Sequence, residues 1–144
     1  MPTEYYLSIV AYKRGIHWQT DKEKPYHWLL FIRNGDGGGT AKQGIAHQLH
    51  GMPGGFHYDG PEDILDINKL VAKFLEVDIG CVPREELDTV TRLCRLVDVV
   101  RDESAEWNCQ SWTVTVVESL KRLGYIEPWV DEAYLRGVLK EVDA

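Results

Sequence analysis

Apolar residues recur along this chain with two different periods, and the change between them separates predicted strands from predicted helices. Tyr5 to Tyr12 is rich in aromatic and branched residues and reads as a first strand, bounded by Lys13-Arg14-Gly15. A polar loop follows from Gly15 to Pro25, carrying His17 and Trp18. Tyr26 to Ile32 reads as a second strand, stopped by Asn34-Gly35-Asp36. His27, Leu29 and Phe31 share one of its faces and Trp28, Leu30 and Ile32 the other, so both faces are apolar and the strand is covered. Ile45 to His50 alternates, with Ile45, His47 and Leu49 on one side and Ala46, Gln48 and His50 on the other. A hairpin return would lay this segment beside the second strand, with His47 facing the same core side as His27 and His50 largely solvated. Gly51 to Gly55 is a turn and Phe56 to Asp59 a short edge strand, where His57 is a surface residue.

Asp63 to Asn68 reads as a polar connection, and Lys69 to Ile79 as a further strand, with helix an alternative over Lys69 to Leu75. Cys81, after Gly80, is placed in a turn. Pro83, Glu85 and Glu86 then open a helix with the stripe Leu87, Val90, Leu93, Cys94 and Val97, which makes Cys94 core. An extended link to Val100 and an acidic loop, Asp102 to Glu106, lead to Trp107-Asn108-Cys109-Gln110-Ser111-Trp112. Here Asn108 can cap a helix that runs to about Leu123 and ends at Gly124, with Trp112, Val116, Leu120 and Leu123 on its apolar face. A last helix over about Val130 to Val142 carries Leu135, Val138, Leu139 and Val142. The order of elements predicts an α+β fold, an antiparallel sheet packed against helices, in one domain spanning residues 1–144.

Composition narrows the function classes. The chain has 144 residues, 44% hydrophobic and 27% charged, which is the range of a folded protein without staples. A formal net charge of -7 and the lack of a basic patch argue against a nucleic-acid partner. Three cysteines without a C-x-x-C pair point to the reduced cytosol and to no structural metal. The start of the chain shows no signal peptide, and no apolar run is long enough for a membrane span. The expected location is cytoplasmic, and no membrane partner is expected.

The chemistry centres on Cys109. A thiol in the first turn of a capped helix meets the positive dipole end, which favours thiolate. An imidazole within reach would take its proton, and His27, beginning a strand next to a loop, is the candidate. Its other reading is a core histidine bonded to a backbone carbonyl or to Tyr26; Cys109, likewise, is alternatively a small core residue.

In that order of parts the chain resembles the circularly permuted papain-like thiol enzymes. The matching segments are His27-Trp28-Leu29-Leu30-Phe31-Ile32, the next strand with His47, and Asn108-Cys109-Gln110-Ser111-Trp112. The lecithin:retinol acyltransferase-like group is the nearest well-described branch, and short fungal proteins of that build look closer still. The resemblance implies Cys109 as nucleophile, His27 as general base and acid, and His47 as the group that orients His27, with no cofactor. Where the acyltransferase branch has Glu and His after the cysteine, this chain has Gln110 and Ser111, and it lacks the hydrophobic tail of several members, so lipid substrates are not expected. Trp28, Gln110 and Trp112 are candidate substrate-binding residues, with Trp18, Trp107 and Trp129 as further aromatic candidates for a pocket wall; core packing is the competing reading of the tryptophans. Three functions follow. The first is a hydrolase or acyltransferase that works through an acyl-Cys109 on a small-molecule or peptide amide, ester or thioester. The second is a small-molecule protein of the same fold that promotes proton transfer, cyclisation or isomerisation with His27 or His47 and no acyl-enzyme. The third is an acidic interaction module for a basic partner.

Overall fold

A computed structural model describes residues 4–12, 26–33, 43–51, 54–67, 73–101 and 107–139. Among the described residues seven strands come in chain order: β1 (Glu4–Tyr12), β2 (His27–Arg33), β3 (Gly44–His47), β4 (Leu49–His50), β5 (His57–Tyr58), β6 (Glu62–Ile64) and β7 (Lys73–Pro83). A 3-10 turn, Arg84–Glu86, leads into α1 (Leu87–Leu96), followed by α2 (Cys109–Arg122) and α3 (Glu132–Val138). Five strands form an antiparallel sheet in the order β6-β3-β2-β1-β7, and β4 pairs with β5 separately. The α+β class and the antiparallel sheet packed against helices are therefore as the pattern predicts.

The central strand β2 is covered on both sides because both sets of its side chains are apolar. Trp28, Leu30 and Ile32 join Leu7, Ile9 and Ala11 of β1 in the main core, together with Cys109, Trp112, Val116 and Leu120 of α2. Leu29 and Phe31 join Val10, Ala46 and Ile67 in a smaller core on the opposite face. Helix α2 lies against β2 and β4 with α1 beside it. Each large apolar side chain removed from water in this way contributes about 1.5–3 kcal/mol.

Both ends of α2 are set by local chemistry. Asn108 accepts from the backbone N–H of Gln110 and Ser111, while the Ser111 hydroxyl accepts from the Asn108 N–H, a reciprocal capping box. At the other end Gly124 adopts φ 85°, and the Gly124 and Tyr125 N–H groups return to the Lys121 and Leu120 carbonyls. This is the paired closure that a left-handed residue permits. The chain then runs along the outer edge of β7, with Cys81 N–H donating to Tyr125 O and Glu127 N–H to Ile79 O.

Several boundaries differ from expectation. Residues 62–64, partly assigned to a polar connection, form the edge strand β6 because they pair with β3. Cys81 lies inside β7 rather than in a turn, since β7 continues through Gly80 to Pro83 against β1. Residues 45–50 do not form one strand: the ladder breaks at Gln48, and β4 leaves for β5. The segments with His17 and Trp18, with the glycines after Asp36, with Asp102 to Glu106 and with Val142 lie outside the described residues.

Candidate functional site

Beside the start of α2 the described residues enclose a cleft of about 360 Å³, lined by Tyr12, His27, Gln48, Leu49, His50, Gly51, Phe56 and Cys109. Its walls are brought together from β1, β2, the segment around β4 and α2. β1 ends on Tyr12, which sits directly opposite His27 at the start of β2, their rings 5.0 Å apart. Gln48 comes from the break after β3 and His50 from β4, and the capped first turn of α2 delivers Cys109.

Cys109 and His27, expected to meet, both face this cleft. The Cys109 thiol is 1% exposed, and its Sγ donates to Tyr26 O at 3.9 Å, the carbonyl of the peptide that leads into His27. His27 Nε2 lies 2.7 Å from Gln48 Oε1. Because Gln48 Nε2 donates to Glu62 Oε1 at 3.3 Å, the oxygen of that amide faces the imidazole, and an oxygen there can only accept. A His27 proton therefore sits on Nε2, which in the neutral ring leaves Nδ1 as the acceptor nitrogen. Tyr12 Oη donates to the same Gln48 oxygen at 3.4 Å, and Glu62 Oε2 holds His50 Nε2 at 2.8 Å.

His47 does not orient His27, and this corrects the sequence expectation. The β2–β3 register sets His47 opposite Leu30, and directly opposed residues of an antiparallel pair share a face, so His47 belongs to the side of Trp28 and Leu30. There its Nδ1 and Tyr58 Oη share a 2.6 Å hydrogen bond, with the two rings stacked at 5.9 Å. Burial, reinforced by the Arg95 charge, pushes the His47 imidazole down to about 4. The Tyr58 ring also stacks on Trp112, and burial drives its hydroxyl upward. His47 is thus a neutral core residue under α2.

The three candidate substrate-binding residues also lie elsewhere. Trp28 and Trp112 are 2% and 0% exposed and pack in the main core, away from the cleft. Gln110 bridges two elements: its Nε2 donates to Tyr26 O at 2.8 Å, and its Oε1 accepts from Arg136 Nη1 of α3 at 2.9 Å. A side-chain amide committed in this way holds α3 and β2 to the helix start rather than an oxyanion. Trp107 meets Phe56 edge-on, Trp129 is solvent-exposed, and Trp18 is outside the described residues.

Gln48, Glu62, Tyr12 and Phe56 are the site residues that sequence reasoning passed over. One signal for Gln48 was present, since it shares the phase of Ala46 and therefore the His27 face once the register is known. His50, expected to be solvated, is instead half-buried against Glu62, whereas His57 is exposed as expected and lies 3.3 Å from Asp59. Among the other thiols, Cys94 is buried as predicted and burial pushes it up to about 12. A hydrogen bond to the Glu4 carboxylate is the main cause that raises Cys81 to about 11.

Among the described residues no cluster of His, Cys, Asp and Glu is arranged to hold a metal ion, and no helix is long and apolar enough to cross a membrane. No curated protein and no solved structure matches the chain. A family model matches residues 14–127, a span that includes His27, Gln48, Glu62 and Cys109, and the chain belongs to that family, DUF6540, a family of unknown function.

Proposed function

We propose that the protein is a cysteine-dependent hydrolase or acyltransferase of permuted papain-like build, similar to the lecithin:retinol acyltransferase-like enzymes, acting on an amide, ester or thioester. The observation that carries this reading is the polar chain at the cleft. His27 donates through Nε2 to Gln48 and keeps Nδ1 as a base, in the cleft that also receives the Cys109 thiol from a capped helix start. Gln48 takes the role first given to His47. Nδ1 accepts the thiol proton and the sulfur attacks the acyl carbonyl, forming a carbon–sulfur bond. The bond to the leaving group then breaks, and the imidazolium returns its proton to that group. Water, or another acceptor, gives a proton to His27 and takes the acyl group from the Cys109 thioester, and the imidazolium returns that proton to the sulfur. Gln110 and Ser111 N–H groups are taken by Asn108, so the cleft's oxyanion donors are not those two amides.

Alkylation tests the assignment. A low-pKa thiol reacts quickly with iodoacetamide near neutral pH, while Cys81 and Cys94, raised to about 11 and 12, react slowly. The expected mass spectrum shows one adduct, at Cys109, which Cys109→Ala abolishes while the melting profile stays cooperative. A wild-type Cys109 no faster than Cys81 would refute the nucleophile.

One observation favours the second reading, proton-transfer chemistry without an acyl-enzyme. Cys109 is 1% exposed and already donates to Tyr26 O, whereas His27 and His50 both line the cleft. Under this reading Cys109→Ala retains turnover of a small-molecule substrate and a His27→Gln variant loses it.

A further inference from the structure

Glu62 bonds Gln48 and His50 behind the residues that line the cleft, and its position bears on what His27 can do. A glutamine amide can be rotated end for end with little change of shape, and its two ends have opposite hydrogen-bonding character. With the oxygen toward His27, the imidazole must carry its proton on Nε2. With the NH2 group there, Nε2 would have to accept, the proton would move to Nδ1, and the ring would lose the lone pair that faces away from Gln48.

We infer that Glu62 is a positioning residue that locks the Gln48 amide in the first orientation and so selects the His27 tautomer able to act as a base. The lock rests on three contacts that agree. A carboxylate only accepts, so the Gln48 group 3.3 Å from Glu62 Oε1 is the NH2. Turning the amide would aim its carbonyl at a carboxylate oxygen. Tyr12 Oη donates to the other end of the amide at 3.4 Å, a contact consistent with an oxygen there. Glu62 is itself held, because Oε2 is bonded to His50 Nε2 at 2.8 Å and the backbone of residue 62 pairs with Ala46 in the sheet. The anchoring therefore runs from the edge strand β6 through Glu62 and Gln48 to the imidazole. Glu62 keeps about a third of its side chain in solvent, with a relative exposure of 31%, so the position tolerates an isosteric change.

This inference rests on the reading of His27 as the base, and its test is separable from that reading. Glu62→Gln has the same shape but offers one acceptor and one donor, so both orientations of the Gln48 amide become satisfiable. The measurement is the two-bond proton–nitrogen correlation of the His27 ring in the full-length protein, above the pH at which the ring titrates. The wild type is expected to show one tautomer, protonated on Nε2. In Glu62→Gln both ring nitrogens are expected to move toward a common averaged position, with iodoacetamide alkylation of Cys109 slowed about two-fold or more as the useful tautomer is diluted. Should Glu62→Gln fold poorly by its melting profile, Glu62→Met, of similar length and without an acceptor for Gln48, is read in the same way. A His27 tautomer unchanged from wild type in a folded variant overturns the inference. The tautomer is read without any substrate or thiol reaction, so an inert Cys109 removes the enzyme reading and leaves the Glu62 result to stand on its own. Rapid alkylation of Cys109 with an unmoved tautomer does the reverse.

Discussion

Replacing His47 by Gln separates a neutral core histidine from one that serves the cleft. In the folded protein the ring titrates at about 4, chiefly through burial and secondly through Arg95, against 6.5 for a free imidazole. As the pH falls below 6.5 the unfolded chain takes up a proton that the folded chain refuses, so the native state loses stability until the folded ring titrates near 4. The stability is thus present above pH 6.5 and lost between there and 4. Two and a half pH units at about 1.4 kcal/mol each come to about 3.5 kcal/mol, of which about 3 kcal/mol is lost by pH 4, where the folded ring is half protonated. The chain is small enough for two-state urea unfolding to read this directly, by linear extrapolation at a series of pH values from 7.5 to about 4. Carboxylates titrate in the lower part of the window in both proteins, so the informative quantity is the difference between the wild-type and His47→Gln curves. That difference is expected to shrink by about 3 kcal/mol from pH 7 to pH 4, since the variant lacks the titrating ring while Gln can still bond Tyr58. Parallel curves would refute the buried, neutral assignment of His47.

Three further perturbations follow from the geometry. Gln48→Leu leaves the His27 Nε2–H without its acceptor, and the rate of Cys109 alkylation by iodoacetamide is expected to fall about ten-fold or more, with a near-normal melting temperature. Asn108→Ala removes a side chain that accepts from two first-turn N–H groups, with a cost of about 1 kcal/mol and a fall in melting temperature of about 3 °C by calorimetry. In Gly80→Ala the new Cβ would lie 2.0 Å from Tyr125 O, so the strand edge has to release residues 125–127. Losing the Cys81 and Glu127 backbone bonds costs about 2 kcal/mol, and hydrogen exchange should show those two amides losing protection first.

The sequence was most legible where one short segment settles its own structure. Asn108 followed by Ser111 and a run of apolar positions to Gly124 contains its own start, stripe and stop, and the helix is found within a residue of the predicted ends. The two apolar faces of β2 likewise announced a covered central strand, and Cys94 on its stripe is in the core. Less was legible at the cleft. Cys109 and His27 were found because thiol and imidazole are rare and chemically conspicuous. Gln48 and Glu62 are ordinary polar residues whose meaning depends on what stands opposite them.

Strand and helix content and the caps of α2 were determined by the order of amino acids, because each rests on patterns and contacts among near neighbours in the chain. The choice between His47 and Gln48 belonged to the tertiary structure alone. A one-residue slip between β2 and β3 exchanges the faces of the two side chains, and a strand that is apolar on both sides gives the alternation no reason to prefer either register. Pairing across the sheet, with Glu62 on β6 completing the hydrogen-bonded chain, decides which polar group reaches the imidazole. The same packing withdraws Trp28, Trp112 and Gln110 from the cleft, since filling the space between α2 and the sheet takes the largest side chains available there.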